Sequence, residues 1–223
     1  MIPLRDAKRS KRIPFVNYSL ITLCGAVFVY EMSLGDTFDS FIRAHGIIPV
    51  RIHDAIFDRN PSLKIFLTLF SSIFLHGGWA HLIGNMLYLY IFGHNVEDRL
   101  GHRGYFLFFM LSGVGAGLSE AFFRHSSDVP VIGASGAIAG VLGGYFLLFP
   151  RSRILTMIPL VIFFPVIEIS AFFFLGFWFL LQFFQGTLSV GGAGGIAWWA
   201  HAGGFVAGAV LLPIFLLLRK LQA

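Results

Sequence analysis

Charge is scarce in this sequence, and so is cysteine. Only 12% of the 223 residues are Asp, Glu, Lys or Arg, while 57% are hydrophobic. A soluble globular domain carries roughly 25% charged residues, so the composition excludes an ordinary water-soluble chain. The one cysteine, Cys24, stands inside an apolar run. It has no partner for an internal disulfide or a cysteine metal site, and it reads as a small buried hydrophobe. No coiled-coil heptads, low-complexity tracts or internal repeats of the kind many transporters show stand out. Basic residues exceed acidic ones, 16 to 11, for a formal net charge of +5. They form no basic face with interleaved base-stacking aromatics, so nucleic acid is not an expected partner. Instead they gather in short clusters beside apolar runs, which is how membrane orientation is encoded.

What the chain has in abundance is apolar length. Its 27 phenylalanines suit side chains that face lipid. A spanning helix needs about 20 largely apolar residues. Six segments approach that requirement: 13–32, 79–96, 105–123, 135–149, 166–184 and 200–218. The expected fold is therefore all-α, a polytopic membrane protein built as a six-transmembrane-helix bundle in the lipid bilayer. The first segment follows a basic N-terminus, as a signal peptide would, but no small-residue cleavage site follows it, so it reads as a retained helix. The fourth is short, and its start is expected below the membrane surface. The fifth begins after Pro165, because Pro159 and Pro165 interrupt the apolar stretch before it. The loop 186–195 is glycine-rich and is expected to be mobile.

Lys and Arg set the orientation. With the N-terminus in the cytoplasm, Arg5, Lys8, Arg9, Lys11, Arg12, Arg99, Arg103, Arg151, Arg153, Arg219 and Lys220 lie inside, which is 11 of the 16 basic residues. The positive-inside rule then selects both termini cytoplasmic and an even number of spans. Residues 1–12 become a cytoplasmic basic N-terminus, 13–218 the membrane domain and 219–223 a short cytoplasmic tail. Residues 33–78 form a long outer loop, in which the apolar stretch 65–75 is too short to span and suits an interfacial or re-entrant segment.

Polar groups at membrane depth are costly and mark function by default. Four of them fall together. Ser135 begins the fourth segment, His201 begins the sixth, and His81 and Asn85 lie in the first turns of the second. These segments all run from outside to inside, so the four share the outer part of the membrane. Ser135 stands in Gly133-Ala134-Ser135-Gly136, where small neighbours leave the hydroxyl open and helix-start amides are unpaired. Such a serine also makes an ordinary helix N-cap. Gly204 and Gly208 lie on the His201 face. Ala139 and Gly143 lie on the Ser135 face, with Gly136, Gly140 and Gly144 as a second small stripe beside it. Two such faces can pack closely, bringing a serine nucleophile to a histidine base. His81 and Asn85, four apart on one helix face, can donate hydrogen bonds to an oxyanion; the plain alternative is an interhelical polar clamp. Glu120 can pair with Arg124 one turn on. His76 and His81 lack the His-Glu-x-x-His pattern of a zinc site, so no metal is expected.

Taken together, His81-x-x-x-Asn85, Gly133-Ala134-Ser135-Gly136 and Ala200-His201-x-x-Gly204 resemble the signature of the rhomboid family of intramembrane serine proteases, in family order across a six-helix chain. The resemblance implies a rhomboid-like bundle with a Ser135/His201 dyad. It implies His81, Asn85 and the Ser135 amide as oxyanion donors, no metal or cofactor, and cleavage of transmembrane protein substrates near their outer end. A bacterial-type inner membrane is the expected location. Two features depart from the family pattern. The loop 33–78 has no tryptophan where many members carry a Trp-Arg pair. Ala139 stands where several members place an aromatic residue beneath the histidine, which leaves open what supports the His201 ring. Two competing readings remain: a non-catalytic rhomboid-like protein that binds transmembrane helices, and a small-solute channel or transporter, which would need polar residues along the whole path rather than near one side.

Overall fold

Lipid cannot hydrogen-bond an open backbone, so apolar chain within a membrane closes its bonds locally as helix. A computed structural model describes residues 1–8, 10–57, 62–160, 162–188 and 196–221. The chain begins with strand β1 (Ile2–Asp6) and helix α1 (Phe15–Met32). Three short helices follow, α2 (Phe38–His45), α3 (Pro49–Phe57) and α4 (Leu63–Ser71). Next come α5 (Trp79–Tyr88) and α6 (His94–Leu100), joined by a π turn over Leu89–Gly93, then α7 (His102–Phe123) and α8 (Ser135–Leu148). Strands β2 (Arg153–Met157) and β3 (Val166–Ser170) lead to α9 (Ala171–Leu188) and α10 (Trp198–Leu221).

Helices α1, α7, α9 and α10 are each long and apolar enough to cross a membrane. The segment Leu63–Phe74 and the rod Trp79–Leu100 count as a further span bent by 81° at its break. With the 14-residue α8, these account for a six-helix bundle. At 1.5 Å per residue α8 is only about 21 Å long, short of the roughly 30 Å hydrocarbon core.

The fifth helix starts later than the sequence suggests. Val166–Ser170 is a strand, and helix begins only at Ala171. Its β-branched residues Val166, Ile167 and Ile169 favour extended backbone, and β2 offers a partner: Arg153 pairs with Ser170 and Met157 with Val166. β1 pairs with the other edge of β2 to complete a three-stranded antiparallel sheet. At its other end α9 continues to Leu188, taking in Gly186, which was expected in a mobile loop. The remainder of that loop, 189–195, lies outside the described residues. The last helix runs past its expected end at 218, and Arg219 donates to the Asp98 carbonyl at 2.8 Å.

Buried carboxylates tie these elements together by accepting hydrogen bonds that lipid could not supply. Glu97 accepts from the Val16 and Asn17 amides at 3.0 and 2.8 Å and so satisfies the start of α1. It also accepts from His102 Nδ1 at 2.5 Å. At the π turn the Leu89 carbonyl accepts from Asn17 Nδ2 at 3.0 Å, and Tyr105 donates to Asn17 Oδ1 at 2.7 Å. Asp6, at the end of β1, accepts from Asn95, Ser152 and Tyr145, locking the sheet to α6 and α8.

The centre of the bundle is α7, α8 and α10, where small residues let backbones meet. A Cβ on Gly204 would lie 2.1 Å from the Gly136 carbonyl oxygen, and one on Gly208 would lie 2.0 Å from that of Gly140. On the α7 side, a Cβ on Gly115 would meet Ala207, and one on Gly203 would meet Ser119. The α8–α10 contact thus runs along the Gly136 and Gly140 stripe, while Gly143 meets the Phe205 carbonyl oxygen. Without a hydrophobic drive between helices in lipid, such close van der Waals packing supplies much of their association.

Gly208→Ala therefore places a methyl against backbone that moves only if α8 and α10 separate. Thermal unfolding in detergent should show a lowered midpoint, with a loss of about 1–3 kcal/mol. Gly25→Ala, where an added Cβ meets nothing within 4 Å, should leave the midpoint in place. Equal midpoints for the two variants would show that the helices do not approach this closely.

Candidate active site

The chain enters α8 along a fixed path. Val131 and Ile47 exchange backbone hydrogen bonds at 2.7 and 3.0 Å, and the Gly133 amide donates to the Ser72 carbonyl at 2.9 Å. Gly133 has φ +117°, a region that side chains disfavour, and a Cβ there would stand 2.6 Å from the His81 ring. Glycine is required on both counts. Two residues later Ser135 opens α8, where the first amides have no intrahelical carbonyl to pair with.

His201 lies in the first turn of α10. That turn is held by α7: the buried Glu120 accepts from the Ala200 amide at 2.9 Å and lies 3.7 Å from Arg124. The expected Glu120–Arg124 pair is therefore present, but Glu120 also satisfies a helix start, as Glu97 does for α1. With α10 seated on α8 through its glycines, His201 Nε2 comes 2.8 Å from Ser135 Oγ. His201 Nδ1 lies 2.6 Å from Gln182 Oε1 on α9. An amide oxygen only accepts, so this contact suits the tautomer with hydrogen on Nδ1 and Nε2 bare toward the serine hydroxyl.

The second face of the site comes from α5. Asn85 Nδ2 donates to His76 Nε2 at 3.1 Å. His76 is completely buried, with Nδ1 3.2 Å from the Phe74 carbonyl oxygen. The His76 amide donates to Glu31 at the far end of α1. His76, which the sequence suggests as a residue orienting loop structure at the interface, thus also anchors Asn85. One hydrogen of the Asn85 amide group is used there, and the second remains for another acceptor. His81 is half-buried beside Gly133.

Ser135, His201, His81 and Asn85 line one cavity of about 560 Å3, together with Arg124 and the segment Val129–Ile132. All four residues singled out from the sequence are brought to one place. Among the described residues no group of three or more His, Cys, Asp or Glu side chains is placed to hold a metal ion.

Residues 64–218, well over half of the chain, match the family model described as the Rhomboid domain. The chain belongs to the rhomboid family. It is 35% identical over 103 residues to Rhomboid-like protein 11, chloroplastic, of Arabidopsis thaliana, covering 46% of this chain and 34% of that protein. It is 32% identical over 157 residues to RHOMBOID-like protein 4 of the same plant, covering 68% and 34%. It is also 33% identical over 96 residues to the yeast Rhomboid protein 1, mitochondrial, from Saccharomyces cerevisiae, covering 41% and 28%. The matched region thus spans about a third of the length of these relatives. Membership, with its apolar helices, makes this rhomboid an integral, multi-pass membrane protein.

The sequence left the support of the His201 ring unexplained because Ala139 is small. In this rhomboid the ring is flanked by Trp178 and Trp198, at centroid distances of 5.9 and 6.2 Å. Trp178 and Gln182 are four apart and share one face of α9. Gln182 stands in an otherwise strongly apolar part of the chain, and the cost of a polar group at that depth was the signal that marks it.

Gly133→Ala should strain the turn before Ser135 and push the His81 ring out of place. A residue forced into such backbone costs about 1–3 kcal/mol. The unfolding midpoint in detergent should fall. A variant with an unchanged midpoint would show that glycine is not needed at this turn.

Proposed function

We propose that this chain is an intramembrane serine endopeptidase that cleaves transmembrane proteins near the outer face of the membrane. The observation that carries the reading is the 2.8 Å contact between Ser135 Oγ and His201 Nε2, two residues 66 apart in sequence, at the wall of a cavity. In the proposed reaction Ser135 Oγ attacks the scissile carbonyl carbon while its proton passes to His201 Nε2. The carbonyl oxygen becomes an oxyanion, to which His81, the free Asn85 amide hydrogen and the Ser135 backbone amide donate. His201 then gives its proton to the leaving nitrogen. Water, activated by the same base, hydrolyses the acyl-enzyme. Every proton is carried by His201, and the residues need no metal or cofactor.

The Lys and Arg distribution supports a cytoplasmic location for both termini, with the Ser135 cavity facing outward, and a bacterial-type inner membrane is the proposed location. The shortness of α8 supports the same geometry. If its C-terminal end meets the inner interface, about 21 Å of helix leaves Ser135 roughly 10 Å below the outer edge of the hydrocarbon core. A transmembrane substrate then arrives sideways through lipid. Helix α9 is proposed as the wall that yields, since it meets α8 and α10 largely through aromatic contacts, among them Phe146–Phe172 and Phe179–Phe205, rather than a small-residue stripe. A non-catalytic helix-binding role would make no use of the Ser135–His201 contact.

Purified wild-type protein should cleave a panel of single-span substrates in detergent or liposomes, with products identified by mass. Ser135→Ala and His201→Ala should each lower kcat by roughly 10⁴-fold or more, and the double variant should be little worse than either, because the two act as a unit. Substantial turnover by folded Ser135→Ala would refute the assignment. Binding of transmembrane helices without any turnover by the wild type would favour the non-catalytic reading.

A further inference from the structure

His201 is held from two sides, and only one of them is Ser135. On the other side Gln182 Oε1 stands 2.6 Å from Nδ1. Gln182 is 8% exposed, in a helix whose remaining side chains are mostly phenylalanine and leucine. A neutral imidazole has two tautomers, and only the one protonated on Nδ1 presents a bare Nε2 to a serine hydroxyl. Neither α8 nor α10 carries an acidic side chain that could select that tautomer, and the buried carboxylate beside the start of α10, Glu120, accepts from the Ala200 amide and pairs with Arg124 at 3.7 Å. The flanking Trp178 and Trp198 rings fix the plane of the imidazole but accept no proton.

We propose that Gln182 is the positioning residue for His201: its amide oxygen accepts the Nδ1 hydrogen, selects the tautomer with a free Nε2, and aims that nitrogen at Ser135. The inference rests on the reading of Ser135 and His201 as nucleophile and base. During attack the serine proton moves to Nε2, the imidazole becomes a cation with both nitrogens protonated, and the Nδ1 hydrogen stays on the Gln182 oxygen. When Nε2 gives its proton to the leaving nitrogen, the starting tautomer is restored without any exchange at Nδ1. Gln182 thus stands where a carboxylate stands in a triad, and a neutral amide suits the place, since an unpaired carboxylate at this depth is costly. Because Gln182 belongs to α9, the orientation of the base depends on α9 standing against α10. A wall that swings away for substrate access also releases the base.

Two readouts separate this role from a merely structural one. Gln182→Met keeps the length of the side chain without an acceptor, and Gln182→Glu keeps the acceptor. With ¹⁵N-histidine in the full-length protein, and His201→Ala to assign the signal, long-range ¹H–¹⁵N spectra should show His201 protonated on Nδ1 in the wild type. They should show the signal shifted toward a mixture of tautomers in Gln182→Met. On a single-span substrate Gln182→Met should lower kcat by about ten- to a hundredfold, part of the 10²–10⁴ that a general base contributes, with KM changed less than threefold. Gln182→Glu should recover most of that loss. A wild-type spectrum with the hydrogen on Nε2, or Gln182→Met with kcat within twofold of wild type, overturns the proposal. A wild-type protein with no Ser135-dependent turnover overturns the protease reading instead, and the tautomer spectra then decide the Gln182 bond by themselves.

Discussion

Between Gly136 and Gly204, and again between Gly140 and Gly208, the backbones of α8 and α10 stand so close that an added methyl group would overlap a carbonyl oxygen. Ser135 is one residue before the first of these glycines on α8, and His201 is three residues before its partner on α10. The separation of the two backbones therefore sets the separation of hydroxyl and imidazole. Side chains of ordinary size at these positions would hold the helices 8–10 Å apart, out of range for a hydrogen bond from so short a side chain as serine. The rest of the site is arranged around that contact: α7 seats the start of α10 through Glu120, the Gly133 turn delivers the chain to Ser135, and α9 reaches the far nitrogen of His201.

A second constraint follows from the solvent. Lipid offers no hydrogen bonds, so polar groups inside the bundle must be satisfied by the protein. The buried acids obey this in the same way. Glu97 accepts from the amides that open α1, Glu120 from an amide that opens α10, and Glu31 from the His76 amide just before α5. Asp6 gathers β1, α6 and α8 at the end of the bundle away from Ser135. Each is a tie between elements distant in sequence, and a broken tie would leave a polar group stranded in a low-dielectric interior. The site is thus presented on a scaffold tied together by these bonds, with Ser135, His201, His81 and Asn85 lining the cavity.

Much of this was legible in the sequence where a pattern had a single structural solution. Long apolar runs became helices, and the glycine spacing at 204 and 208 marked the face of α10 that meets α8. Costly polar residues at a common depth, Ser135, His201, His81 and Asn85, lie around one cavity. What was not legible had two competing solutions. Val166–Ser170 is apolar enough to extend the following helix and β-branched enough to form a strand; the availability of β2 as partner decided it, and that is a tertiary fact. Gln182 was overlooked because an almost uniformly apolar helix gives no moment by which to tell its inner face. His76 was ambiguous because its partners, Glu31 and Asn85, come from two different helices.

If Ser135 is a nucleophile made reactive by His201, an electrophile that traps activated serines will label it covalently. The purified protein in detergent would be treated with a fluorophosphonate probe, digested, and the labelled peptide sequenced by mass spectrometry. A single phosphonyl adduct is expected, on Ser135, whose rate of formation collapses in His201→Ala while the protein remains folded. An adduct on another side chain, or labelling of Ser135 at the same rate with and without His201, would contradict it.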